Sequence, residues 1–143
     1  MANHFDTVTR KEQAFTGEYG NASKKIKTRN LGGVLEDDIV YFALIPAGSI
    51  VDTIRYVWGD LGTGVTGSIG FTPVDPGDGP TEDLVYWASA VDMATAAGEA
   101  VSVAAPLRFD YDAYLVLFVE GAVVTGTPDV TLVMNYIFDQ KDI

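Results

Sequence analysis

Residues 39–58 read IVYFALI-PAG-SIVDTIRYVW, and this stretch decides the fold. The first seven residues are apolar at odd and even positions alike. A strand apolar on both sides is covered on both sides. Pro46 cannot donate to a sheet ladder and Gly48 can take a positive φ, so 46–48 turn the chain sharply. Residues 50–58 are rich in β-branched and aromatic side chains, the composition of a second strand. Two strands joined by so short a connection, the first buried on both faces, predict an all-β domain with a double-layered core.

Working outward, the same pattern recurs. Residues 59–64 hold three glycines and form a loop. Residues 65–71 alternate, with Val65, Ile69 and Phe71 to one side and Thr66 and Ser68 to the other. Residues 72–83 carry Pro73, Pro76 and Pro80 with two glycines, too many breakers for a mid-sheet position. The segment 84–90 suits a strand. The Ala-rich 91–97, stopping at Gly98, suits one or two helical turns with a glycine cap. Strands resume at 106–110, 113–120 and 130–138, the last with Leu132, Met134, Tyr136 and Phe138 on one side. Seven to nine short strands without a long amphipathic helix predict a β-sandwich, and a jelly roll in particular.

The 143 residues fit one domain. Its expected limits are 24–143, preceded by an arm over 1–23 that has few large apolar residues and no sustained periodicity. No apolar leader segment is visible in the first residues, and the longest apolar run, 39–47, is far shorter than the roughly 20 residues a membrane-spanning helix needs. There is no cysteine, which excludes thiol nucleophiles and Cys-ligated metals.

The net charge of −11 argues against a nucleic-acid partner. That charge is unevenly spread. Residues 1–30 carry six bases and three acids, leaving −14 on residues 31–143. A basic segment on an acidic body suits a docking arm. Its candidate contacts are the apolar Phe5, Phe15 and Tyr19 and the cations Lys24, Lys25, Lys27 and Arg29; the plain alternative is a solvated tail.

Catalytic chemistry finds little support. The one histidine, His4, falls in the arm, where a general base could not be held within about 3 Å of its proton. Asp110 and Asp112 share a face at a strand end, the spacing of a glycosidase pair, but acids at strand ends are commonplace. Asp75, Asp78, Glu82 and Asp83 crowd one loop and offer hard oxygen ligands without the order of a calcium hand. No cofactor is expected. Trp58, Tyr86 and Trp87, with Tyr56, could make a glycan-stacking platform, or simply fill core and interface.

One resemblance adds to this reading. The succession Leu44-Ile45-Pro46-Ala47-Gly48-Ser49-Ile50-Val51, then Asp60-Leu61-Gly62, then Thr66-Gly67-Ser68-Ile69-Gly70, and later Asp92-Met93-Ala94-Thr95-Ala96-Ala97-Gly98, is similar to small structural proteins encoded among tailed-phage virion genes. It covers about residues 39–100. The resemblance implies a non-enzymatic virion protein of the head-decoration or cement type. Such a protein is made in the host cytoplasm and ends on the particle surface. It would bind the major capsid protein or another virion protein and form a homo-oligomer, with no membrane or nucleic-acid partner. A receptor- or carbohydrate-binding module of a tail or fibre is the alternative.

Overall fold

The computed structural model describes residues 3–4, 22–94 and 97–138. Among the described residues ten strands follow one another: β1 (Asn3–His4), β2 (Ala22–Asn30), β3 (Ile39–Ile45), β4 (Ser49–Trp58), β5 (Thr66–Pro73), β6 (Asp83–Asp92), β7 (Gly98–Val101), β8 (Leu107–Arg108), β9 (Ala113–Glu120) and β10 (Asp129–Phe138). They form a front sheet, β1-β3-β9-β5-β6, and a back sheet, β2-β10-β4-β7, in which β8 also pairs with β4. Apart from the parallel two-residue β1, every pairing is antiparallel. Setting aside β1 and β8 and numbering the rest from one to eight gives 1-8-3-6 in the back sheet and 2-7-4-5 in the front. This is the double Greek key of a jelly roll, the architecture expected from the sequence.

The core lies between the sheets. Phe42, Ile45, Ile69, Leu115 and Leu117 face inward from the front, and Val51, Ile54, Leu132 and Met134 from the back. All nine are at most 1% exposed. The front sheet is covered on its outer side too. Ile39, Tyr41 and Val116 form a second buried cluster there with Leu84, Tyr114 and Phe118 packed around it. This explains why β3 is apolar at consecutive positions: both of its faces are inside something.

Two irregularities shape the front sheet. Between Tyr41 and Ala43, β3 holds one residue more than β9 opposite, a bulge at Phe42. Strand β6 departs further: its register against β5 shifts twice, and Ala90 takes a φ of +49°. The slack lets the start of β6 cross the outer side of β5 at Gly70. A Cβ at Gly70 would meet the Asp83 carbonyl and the Leu84 backbone, with Leu84 Cα only 2.6 Å away.

Two expectations need correction. The stretch 91–97 is not helical where described: Val91 and Asp92 close β6 against Gly67 and Thr66, and Met93 is fully buried with its N–H bonded to the Val65 carbonyl. Tertiary pairing and a buried Met93 outweigh the weak helical preference of the alanines. Within the expected arm, His4 stands in a two-residue strand. With Asn3 it runs parallel to Ile39 and Val40 at the edge of β3. The strand expected over 106–110 shortens to Leu107–Arg108. Among the described residues there is no helix, and so none long and apolar enough to cross a membrane.

Candidate functional site

Both ends of the sandwich are closed. At one end meet the loops 31–38, 59–65 and 121–128, with residues 93–94. Backbone bonds stitch them together: Leu61 N–H to the Met93 carbonyl (3.0 Å), Thr125 N–H to Leu61 (3.1 Å) and Val124 N–H to Val34 (3.1 Å). Leu31, Val34, Leu61, Val65, Met93 and Val124, none more than 5% exposed, plug the space beneath. Above the plug lies an open hollow of about 460 Å³ lined by Asp60, Gly62, Thr63, Ala94, Thr125 and Gly126. Asp60 spends its carboxylate on the Gly62 N–H, 2.9 Å away.

At the other end Phe71, Tyr86, Trp87 and Phe109 form one ring cluster, Phe71 meeting Phe109 edge-on at 5.0 Å. Edge-to-face packing suits rings with a negative face and a positive rim. The turn 46–48 is tied to this plug, because Gly48 N–H donates to the Phe109 carbonyl and Phe109 N–H to Ser49.

The carboxylates considered for chemistry have local structural duties. Asp112 accepts from Ala47 N–H at 2.8 Å, and Asp110 accepts from Arg108 Nε at 3.1 Å with its side chain largely in solvent. In the proline-rich loop, Asp75 accepts from Gly77 N–H, Asp83 from Val85 N–H and Glu82 from the Thr72 hydroxyl. Among the described residues no three His, Cys, Asp or Glu side chains converge as a metal site would require.

The aromatic pairs stand apart. Tyr56 and Trp58 stack at 5.7 Å on β4 of the back sheet, whereas Tyr86 and Trp87 meet at 5.5 Å on β6 of the front sheet. Tyr56 and Trp87 are buried, and the Tyr86 hydroxyl donates to the Ala105 carbonyl at 2.9 Å. The structure brings no exposed platform together from Trp58, Tyr86 and Trp87. Burial raises the Tyr41 hydroxyl above its ordinary pKa, with the nearby Glu82 and Tyr114 adding to the effect; burial alone raises Tyr56.

The basic segment is the feature that sequence reading located without seeing its geometry. Phe5, Phe15 and Tyr19 lie outside the described residues. The four cations do not form one cluster, because 22–30 is a regular strand paired along its length with β10. Period two divides them. Lys24 faces outward with Ile26 and Thr28, opposite Asn135; Lys25, Lys27 and Arg29 take the other side. Lys25 Nζ donates to the Leu44 carbonyl (2.9 Å) and Arg29 Nη1 to the Tyr41 carbonyl (2.6 Å). Both carbonyls belong to β3, and the Phe42 bulge lets two carbonyls three positions apart turn to the same side. Cations on the back sheet thus cap the margin of the front sheet, where unsatisfied strand edges invite foreign strands.

These features define a jelly-roll β-sandwich plugged by apolar side chains at both ends. No protein-family model matches the chain, and no curated protein matches it. Solved structures do. A chain described as "Capsid of Ralstonia phage GP4" superposes with a TM-score of 0.77 at 14% identity, covering 99% of this chain and 100% of that one. A chain of the "Cyanophage Pam1 capsid asymmetric unit" gives 0.67 at 18% identity, covering 94% and 96%. At such identities the likeness is one of fold.

Proposed function

We propose that the chain is a non-enzymatic structural protein of a phage particle, which decorates or cements the head lattice through protein–protein contacts. The observation that carries this reading is the end-to-end correspondence in fold with a chain from a phage capsid, 99% of one against 100% of the other. The closed ends and the structural duties of Asp110, Asp112 and the loop acids agree with a body that works by its surface. In this reading the protein sits on the particle surface after synthesis in the host cytoplasm, and its partner is the major capsid protein or another virion protein. The segment preceding β2 is the arm, with Phe5, Phe15 and Tyr19 as apolar anchors and Lys24 as an outward cation at its root. Ordering such an arm costs about 1–2 kcal/mol per residue in backbone entropy, so charge alone would not hold it.

The test is co-sedimentation of the purified full chain with heads that lack it, followed by imaging of the decorated heads. Saturable binding at regular lattice positions is expected, with a higher melting temperature of the heads. A chain from which residues 1–21 are deleted should keep its β-sheet circular dichroism and lose binding. Absence of binding by the full chain would overturn the reading, and undiminished binding by the truncation would remove the arm from it.

A further inference from the structure

Asp78 and Gly79 are the one Asp-Gly pair in the sequence, which has no Asn-Gly. They lie in the loop between β5 and β6, with Asp78 exposed. Asp75 holds the turn before them: its carboxylate accepts from Gly77 N–H at 2.9 Å and its carbonyl from Asp78 N–H at 3.0 Å. There the hold ends. Among the described residues nothing donates to the Asp78 carboxylate, and the Gly79 N–H donates to nothing. Space requires glycine at 79, because a Cβ there would lie 2.5 Å from Pro73 Cβ and 3.1 Å from the Asp75 carbonyl oxygen. Its nitrogen has no side chain of its own to screen it.

The other described aspartates each lack one of these conditions. Asp38, Asp60, Asp75, Asp83, Asp92 and Asp112 each accept a backbone N–H. Asp110 and Asp129 accept from Arg108 and Asn30. Asp37 precedes Asp38, whose N–H bonds to the Leu35 carbonyl, and Asp52 precedes Thr53 within the β4–β10 ladder.

We infer that Asp78 is a site of self-modification, at which the folded chain converts to isoaspartate. The Gly79 nitrogen attacks Asp78 Cγ. A C–N bond forms, a C–O bond of the carboxyl breaks, and a water molecule leaves carrying the amide proton. Water then opens the cyclic imide at the Asp78 main-chain carbonyl. The chain now runs on through the side-chain carbon, and the carboxylate stays on Cα. Nothing is oxidised or reduced, and mass and charge end unchanged. Ring closure needs rotation about the Asp78 Cα–C bond, which ladder bonds resist and this unheld peptide does not. The product adds one methylene to the main chain just before Gly79, which with Pro80, Arg108 and Tyr111 lines a hollow of about 210 Å³. The surface altered by ageing is thus the proline-loop end of the sandwich. The inference does not depend on the virion proposal.

Ageing of the purified full chain at neutral pH tests it. The readouts are labelling by a protein-isoaspartate methyltransferase and electron-transfer fragmentation of the tryptic peptide from Tyr56 to Arg108. Isoaspartate should accumulate at position 78 at least about tenfold faster than at any other aspartate, a barrier difference of about 1.4 kcal/mol. Asp78→Glu, a conservative change at an exposed position, should bring the label to background, because closure would need a larger ring. In denaturant the rate at position 78 should rise by less than about threefold, while the other aspartates gain on it. A smaller lead over the other aspartates in the folded chain would overturn the inference. So would undiminished labelling of Asp78→Glu, or a larger rise at position 78 on unfolding, which would show that the folded loop shields it.

Discussion

Replacing Gly70 by alanine should be among the most damaging single-methyl additions to this protein. Its φ is not positive, so backbone preference is not the obstacle. The obstacle is space: the new methyl would face the Asp83 carbonyl and the Leu84 backbone, with Leu84 Cα at 2.6 Å. Carbon atoms rest at about 3.5–4.0 Å, so the start of β6 would have to lift by about 1 Å. Overpacking a core costs about 1–3 kcal/mol, and more where no side chain can swing aside. Here the neighbours are backbone, so a loss of at least about 3 kcal/mol is expected, or a melting temperature lower by about 10 °C. Gly33→Ala is the matched control. It adds a methyl with nothing within 4 Å, but at a φ of +83°. Its cost should be the left-handed backbone penalty of about 1 kcal/mol. Calorimetry of the two variants separates crowding from backbone strain. If Gly70→Ala melts no lower than Gly33→Ala, β6 does not cross over β5 as described.

Three further outcomes follow from the packing. Phe109→Ala removes a ring 1% exposed at the centre of the aromatic plug, and chemical denaturation should report a loss of about 3–5 kcal/mol. Arg29→Met deletes a charge-assisted bond to the Tyr41 carbonyl; a loss of about 1.5–3 kcal/mol is expected, with faster amide exchange in β3 and a greater tendency to aggregate on heating. In alkaline spectrophotometric titration Tyr41 and Tyr56 should ionise above the ordinary tyrosine range. Their folded-state pKa exceeds the unfolded value near 10, so between the two the unfolded chain holds fewer protons. Stability should therefore be whole below about pH 10 and fall as pH rises through the folded-state values. Unfolding midpoints that stay flat in that window would contradict it.

The fold was largely legible because its signals are local. Residues 39–45 announce a strand covered on both faces, and burial of Ile39, Tyr41 and Val116 outside the main core bears this out. Strand β10 shows its inward side as Leu132, Met134 and Tyr136 at every second position. The end of β6 reads as helical because alanines near Gly98 satisfy helical preference, while the reason Met93 is buried lies in loops distant in sequence. The division of the β2 cations was available from period two alone, once 22–30 is recognised as a strand and not as part of an arm. By contrast, the outward face of the back sheet has no sequence signature. Ile26, Val133 and Val101 become neighbours only through the strand order, which no local pattern encodes.

That order also dictates when the molecule can form. In the back sheet β2 and β4 have no bond to each other; each pairs with β10, which follows all the other described strands in the chain. The front sheet depends in the same way on β9, through which alone β3 and β5 are joined. The back layer must wait until residues 129–138 emerge, with β2 held in readiness for a partner about a hundred positions downstream. Loss of β10, through a premature stop or a proteolytic cut, would strip away half the sandwich and not merely trim it.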